Sequence, residues 1–174
     1  MDLKPGCGFT LLQVAPNPVV SIDLDSADLL AGQVFYQNVV FTLSAGETQY
    51  IELKTGADVI MISRDLLNIG TSNVLYSVFE APTVTDGTII TTAFNGNRNS
   101  VQATTAVFYS TPTNVSGGTP LVVSMLPATA FFKGRSAAYN EMIYKANTTY
   151  VASIVNAATA GTVVYATYRW HKLV

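Results

Sequence analysis

Charge is what this 174-residue chain has least of. Only 11% of its residues are Asp, Glu, Lys or Arg, against about 25% in an ordinary soluble domain. The net charge is -2, with nine basic residues scattered along the chain. A nucleic-acid binder needs a basic stripe to displace counterions from phosphates, and these nine cannot make one. Cysteine occurs once, as Cys7, which excludes an internal disulfide framework and a zinc site built on several thiolates. Histidine also occurs once, as His171. No apolar run approaches the roughly 18 residues of a membrane helix. The start, Met1-Asp2-Leu3-Lys4-Pro5-Gly6-Cys7, has an acid and a proline where a secretory leader carries a basic end and an apolar block. The expectation is therefore a chain made in the cytoplasm, with neither nucleic acid nor membrane as a partner.

What is present is β-forming. Hydrophobic residues make up 49%, enough for one sizeable core without disulfide or metal. From Gln33 onward, short runs rich in Val, Thr, Tyr and Phe alternate with turn residues. The runs are Gln33–Leu43, Thr48–Lys54, Val59–Ile62, Asn73–Glu80, Thr88–Phe94, Ala103–Tyr109, Pro120–Leu126, Thr149–Val155 and Thr162–Trp170. Within Thr48–Lys54 the alternation puts Tyr50, Glu52 and Lys54 on one face, with Ile51 and Leu53 on the other. Helical period is confined to Ser26–Ala31 and Arg64–Asn68, about one turn each. No βαβ rhythm appears. The pattern predicts an all-β chain: an antiparallel β-sandwich of jelly-roll type over residues 33–174, of eight or nine strands. Residues 1–32, broken by Pro5, Pro16 and Pro18, are expected to form an N-terminal arm or a peripheral strand.

Candidate chemistry is sparse. Asp23, Asp25 and Asp28 lack the turn glycine and the distal glutamate of a calcium loop, which favours solvated or capping roles. His171 would have to serve any Ser-His-Asp or Cys-His arrangement, yet it stands three residues from the last one. A glycosidase pair would draw on Glu47, Glu52, Glu80, Glu141 and the aspartates, and spacing pairs none of them. Gly96 and Gly117-Gly118 have turn character without the strand-loop-helix context of a phosphate cradle. Arg98, in a polar loop, is expected to tie that loop by hydrogen bonds. Asn114-Val115-Ser116 and Asn147-Thr148-Thr149 fit the short glycosylation pattern, which carries no weight without a secretory signal. No catalytic, cofactor or metal residue is assigned, and an enzyme is not expected.

Several short motifs follow one another in a familiar order. They are Phe79-Glu80 with Thr83 and Gly87-Thr88; Asn95-Gly96-Asn97-Arg98-Asn99-Ser100; Thr111-Pro112-Thr113 with Ser116-Gly117-Gly118-Thr119-Pro120-Leu121; Lys145-Ala146-Asn147-Thr148-Thr149-Tyr150 with Asn156; and a late aromatic strand ending in Trp170-His171. Over residues 47–171 this series resembles small virion proteins of tailed bacteriophages that decorate or cement the capsid. Where those chains end in an acid after the tryptophan, His171 and Lys172 stand here. The resemblance implies a structural virion protein on the outer capsid surface. Its partners would be the major capsid protein and copies of itself, as a homotrimer first and a homodimer second. A tail or baseplate accessory and a carbohydrate-binding module for host attachment are the alternatives. The surface chemistry agrees: Thr, Ser and Asn supply 44 residues, and such groups lose water at an interface at lower cost than Lys or Glu. Uncharged runs such as Val34–Leu43 and Thr162–Tyr168 would invite pairing if they lay at a sheet edge.

Overall fold

The computed structural model describes residues 9–13, 19–57, 59–128, 133–135 and 142–172. Cys7 and Glu141 fall outside them. The described residues form strands β1 (Phe9–Gln13) and β2 (Val19–Asp23), helix α1 (Leu24–Leu30), and strands β3 (Val34–Leu43), β4 (Thr48–Thr55), β5 (Val59–Asn68) and β6 (Val74–Glu80). These are followed by β7 (Thr83–Thr85), β8 (Thr88–Ile90), β9 (Phe94–Asn95), β10 (Ala106–Ser110), β11 (Thr113–Ser116) and β12 (Thr119–Leu126). The last are β13 (Lys133–Arg135), β14 (Met142–Tyr144), β15 (Thr149–Val155) and β16 (Thr162–Lys172).

The chain is an all-β antiparallel sandwich. The first sheet has the order β12-β6-β15-β4-β10-β8; the second has the order β13-β5-β16-β3-β9, with β14 also pairing β5. Every pairing is antiparallel. Successive framework strands alternate between the sheets: β3, β5 and β16 lie in the second, and β4, β6, β12 and β15 in the first. The inward residues meet in one core. Trp170 of β16, wholly buried, lies 5.9 Å from Phe35 of β3 and 5.3 Å from Phe108 of β10 (ring centroids), so the aromatic cluster joins the two sheets.

Three expectations need correction. Arg64–Asn68, given a helical turn, is the second half of β5. Asp65 is exposed there while Leu66 and Asn68 are buried, the period of a strand. Thr88–Phe94 is not one strand: β8 belongs to the first sheet and β9 to the second. The residues between them cross the open side of the sandwich, where Thr92 Oγ1 accepts a hydrogen bond (2.8 Å) from the core-facing Gln37. The excursion between β6 and β12 adds strands to both sheets and a separate β7/β11 ribbon, so the described residues hold more strands than the eight or nine expected.

Residues 1–32 contain the β1/β2 hairpin and α1 within their described part. The helix is tied to the sandwich by the Asn95–Ser100 loop. Asn95 Nδ2 donates to Gly32 O (2.7 Å), and Asn97 Nδ2 donates to Leu30 O (2.8 Å). The loop holds itself with two successive asparagine turns, Asn97 N to Asn95 Oδ1 and Asn99 N to Asn97 Oδ1. Arg98 does not supply those bonds; it is exposed, with its guanidinium 5.7 Å from the Phe94 ring centroid. Gly96 is needed for close approach, since a Cβ there would stand 2.5 Å from Leu29 Cδ1 and 2.9 Å from Tyr36 Cε2.

Edge protection also departs from expectation. β16 is flanked by β3 and β5, so Thr162–Tyr168 is not an edge at all. Among the described residues β3 is open beyond Tyr36, because β9 pairs only Phe35 and Tyr36. Val34 O accepts from Gly96 on that side, so by strand alternation the carbonyls of Asn38 and Thr42 face the opening. Gln37 Nε2 covers the first (2.7 Å) and Gln49 Nε2 the second (2.8 Å). In a chain poor in charge, amide side chains occupy two of the edge acceptors, either side of the Val40 carbonyl, on an edge of the kind that lysines guard elsewhere.

Candidate functional site

The β7/β11 ribbon is a strap across the outside of the first sheet. β6 and β8 stand four strand spacings apart in that sheet, about 19 Å. The stretch Ala81–Gly87 that joins them reaches roughly 23 Å when extended. The return path from β10 through β11 to β12 spans the same gap. Both must pass over β15 and β4, and the inner face of those strands is filled by the core. The levels agree: β6 ends at Glu80, opposite Tyr150, whereas β8 begins at Thr88, opposite Ser110. The strap therefore descends diagonally over the level of Glu52 and Val151, which are neighbours in register.

Sequence alternation places Glu52, Lys54 and Tyr50 outward, as the structure does, but Glu52 and Val151 are 0% exposed. The strap roofs them. Within the ribbon Val84 and Val115 are half-buried while Thr83, Thr85, Thr113, Asn114 and Ser116 are exposed, and at its roots Pro82 and Pro112 are buried. Half-burying two valines is worth about 1 kcal/mol each. One clasp adds to this, Lys54 Nζ donating to Asp86 Oδ2 at 2.6 Å. Against it stands backbone strain. Ala81, Thr111 and Asn114 have φ near +50°, and of the four non-glycine residues in that region only Asn147 lies outside the strap. Each costs about 1–3 kcal/mol, and a β-branched Thr is the least suited to it. Gly117 and Gly118 (φ +67° and +87°) make the return at the far end without that cost.

Beneath the strap the Glu52 carboxylate accepts no hydrogen bond. Its nearest cation, Lys54 Nζ, lies 3.6 Å from Oε1 and is shared with Asp86. Burial pushes the Glu52 carboxyl above the usual carboxylate range; the Asp86 charge adds to the rise and Lys54 opposes it. Lys54 is itself held above its ordinary value, first by the Asp86 hydrogen bond. Spacing along the chain pairs no carboxylates, yet the fold brings Glu52 and Asp86 to one ammonium. No sequence signal marks Glu52 as buried, because its cover arrives from 30 residues and more downstream.

The other acids have separate settings. Glu47 Oε2 accepts from Ser44 N (2.6 Å) and its Oε1 from Gln49 (2.7 Å), which closes the β3–β4 turn and lowers its pKa. Glu80 pairs with Lys145 (2.6 Å), also with a lowered pKa, and takes a 3.3 Å hydrogen bond from the Tyr150 hydroxyl. Burial pushes Tyr150 up to about 12. Asp28 does not cap α1: its Oδ2 is 2.8 Å from Nδ1 of the buried His171, so the pair fastens the helix to β16. Asp23 lies in β2 and Asp25 in the first turn of α1. Among the described residues no group of three or more His, Cys, Asp or Glu is placed to hold a metal, and no helix is long and apolar enough to cross a membrane.

The second sheet presents a different outer face. Its upper part carries the buried Val34 and His171, neighbours in register, and Asp28 of α1 reaches His171 there. Lower down, Val40, Tyr165 and Leu67 stand side by side across β3, β16 and β5. Val40 is 56% and Tyr165 44% exposed, and Val163 and Ile69 extend the patch. Comparison of the chain with protein-family models, with curated proteins and with solved structures gives no match.

Proposed function

We propose that this chain is a structural protein of a tailed-phage virion that packs on the outer capsid surface and stabilises the shell, acting as a homotrimer first and a homodimer second. The observation that carries the reading is the lower outer face of the second sheet, which is open among the described residues. Val40, Tyr165 and Leu67 form an apolar row with Thr42 and Val163 beside it. β3 is uncharged over Val34–Leu43 and β16 over Thr162–Tyr168, and charge enters only at the far side, with Asp65 of β5 and with Lys133 of β13, the neighbour of Leu67 in register. Contiguous apolar surface on an otherwise folded chain marks a surface meant for a partner. A row without charges can be dehydrated at low cost. The strand order supports a jelly-roll reading of the sandwich: β13-β5-β16-β3 faces β12-β6-β15-β4, with the chain alternating between them. The β7–β11 excursion is then an insertion between the fourth and fifth framework strands counted from the chain's β3, and fold alone assigns no function.

The test is co-sedimentation of the purified chain with shells of the phage that encodes it, followed by cryo-electron microscopy of the decorated particle. Binding should be lost when Tyr165→Lys or Val40→Lys places a charge in the row, while the circular dichroism spectrum is unchanged. Binding by both variants at the level of the unsubstituted chain would remove this face from the interface. Binding to arrayed glycans without affinity for shells would replace the reading with host attachment.

A further inference from the structure

We propose that the β7/β11 strap is a proton-dependent latch, closed over the first sheet while Glu52 is protonated and lifting from that face when Glu52 ionises. Three independent features of the geometry meet here. The carboxyl is fully covered and accepts no hydrogen bond in this geometry, so its ionised form has only Lys54, 3.6 Å away and shared with Asp86, to replace lost water. The cover is a two-stranded ribbon whose strands are mostly exposed, anchored by buried prolines Pro82 and Pro112 at its roots, not a core layer. The ribbon joins the sheet through strained residues, Ala81 on one strand and Thr111 on the other, so opening it relieves strain.

The charged groups that face Glu52 are few. From its own strand there is Lys54, 3.6 Å away and committed to Asp86 at 2.6 Å. From the strap there is Asp86, whose negative charge opposes ionisation of Glu52. From β10 the neighbour in register is Tyr109, and from β15 it is Val151, which carries no charge. One shared ammonium thus stands between two carboxylates. When Glu52 ionises, Lys54 is drawn between them, and the 2.6 Å clasp that holds the strap down loses its sole claim on that cation.

The direction follows from linkage. The folded-state value of Glu52 lies above the unfolded one, so the closed strap is favoured in full below the unfolded value of 4.5 and loses that favour as pH rises through the raised folded value. Opening would uncover Val151 and Glu52 on the outer face of the first sheet, beside the already exposed Val107 of β10.

The measurement is amide hydrogen–deuterium exchange of the full chain between pH 5 and pH 8, corrected for the intrinsic exchange rate. Protection at Val84, Thr85, Val115 and Ser116 should fall with pH by roughly tenfold for each unit by which the folded Glu52 value is raised. Protection at Val164 and Ala166 in β16 should not follow. Glu52→Gln keeps the shape and removes the charge, and its strap should stay protected across the range. A strap whose protection is independent of pH, or a Glu52→Gln chain that keeps the unsubstituted chain's dependence, would overturn the proposal. Should Glu52→Gln fail to fold, carbon-13 titration of the Glu52 carboxyl in the unsubstituted chain decides: a value at or below 4.5 overturns the latch, and a value above it, with strap resonances moving at the same pH, supports it.

Discussion

On the first sheet Glu52 and Val151 point outward and are wholly covered; on the second, Val40 and Tyr165 point outward and are open. Both sheets carry β-branched and aromatic residues on these faces, so composition does not separate them. Cover does. The first sheet is roofed over Glu52 and Val151 by a ribbon inserted between β6 and β12, held by one ion pair and strained at its joints, while Val123 and Met125 of β12 stay open on the same face. The second is roofed over its upper part by α1, held by a buried His–Asp pair and a loop of asparagine turns, and its lower part has no roof among the described residues. What lies outside a sheet is therefore decided by segments remote in sequence, and the inward faces, which share the Trp170 core, are alike in being fixed by alternation.

The sharpest way to break this comparison lies within one strand. Val34 and Val40 occupy the same outer face of β3, six residues apart. Val34 is 0% exposed, beside the His171 that Asp28 of α1 contacts, and Val40 is open. Val34→Asp buries an uncompensated charge and should cost about 3 kcal/mol or more. Val40→Asp should cost at most about 1 kcal/mol. Urea unfolding of both variants measures the difference; equal losses would mean that α1 does not cover the sheet in solution.

The next effect belongs to the fastening of that helix. Removing either partner of the His171–Asp28 pair leaves the other without its 2.8 Å contact in a site shielded from solvent. A double-mutant cycle of His171→Ala and Asp28→Ala should return a coupling of about 1–2 kcal/mol at neutral pH. A coupling near zero would reduce the pair to a coincidence of packing.

The framework strands were legible because alternation and turn residues act locally. Thr149–Val155 is β15 to the residue, and Thr48–Lys54 and Asn73–Glu80 lie within one residue of β4 and β6 at each end. Arg64–Asn68 was not legible, since Asp65-Leu66-Leu67 suits a helical turn as well as a strand, and pairing with β16 decides the matter. The strap was legible only as turn punctuation. Ala81 and Thr111 carry no sign that they adopt positive φ, the signature being one that Gly or Asn would have given. Glu52 was legible as an outward residue and illegible as a buried one. His171 was judged by its distance from the last residue, whereas β16 runs through it to Lys172 and makes it part of the sheet.

Strain gives the comparison a change of sign. Thr111 and Thr42 are both exposed threonines, but Thr111 has φ +51° and Thr42 lies within the extended β3. Thr111→Gly relieves a left-handed residue and should stabilise the chain by about 1 kcal/mol. Thr42→Gly frees the unfolded chain and weakens the strand, which should destabilise by about 1 kcal/mol. Thermal melts of the pair read the sign directly. Two losses of equal size would mean that the strap is not strained at Thr111.

The smallest effect contrasts two carboxylates on opposite limbs of the pH profile. Glu47, at the open β3–β4 turn, has a lowered value because Ser44 N and then Gln49 donate to its ionised form. Its contribution is present above the unfolded value of 4.5 and is lost as pH falls through the folded value. Glu52, under the strap, runs the other way, and its contribution is lost as pH rises. Melting temperature followed from pH 3 to pH 8 should therefore decline at both ends. Glu47→Gln should flatten the acid limb slightly and leave the alkaline limb untouched, since the turn is exposed and its hydrogen bonds compete with water. Glu52→Gln should do the reverse. Should Glu47→Gln alter the alkaline limb as well, the two carboxylates would be coupled through β4, and the cover over Glu52 would no longer be a local property of the strap.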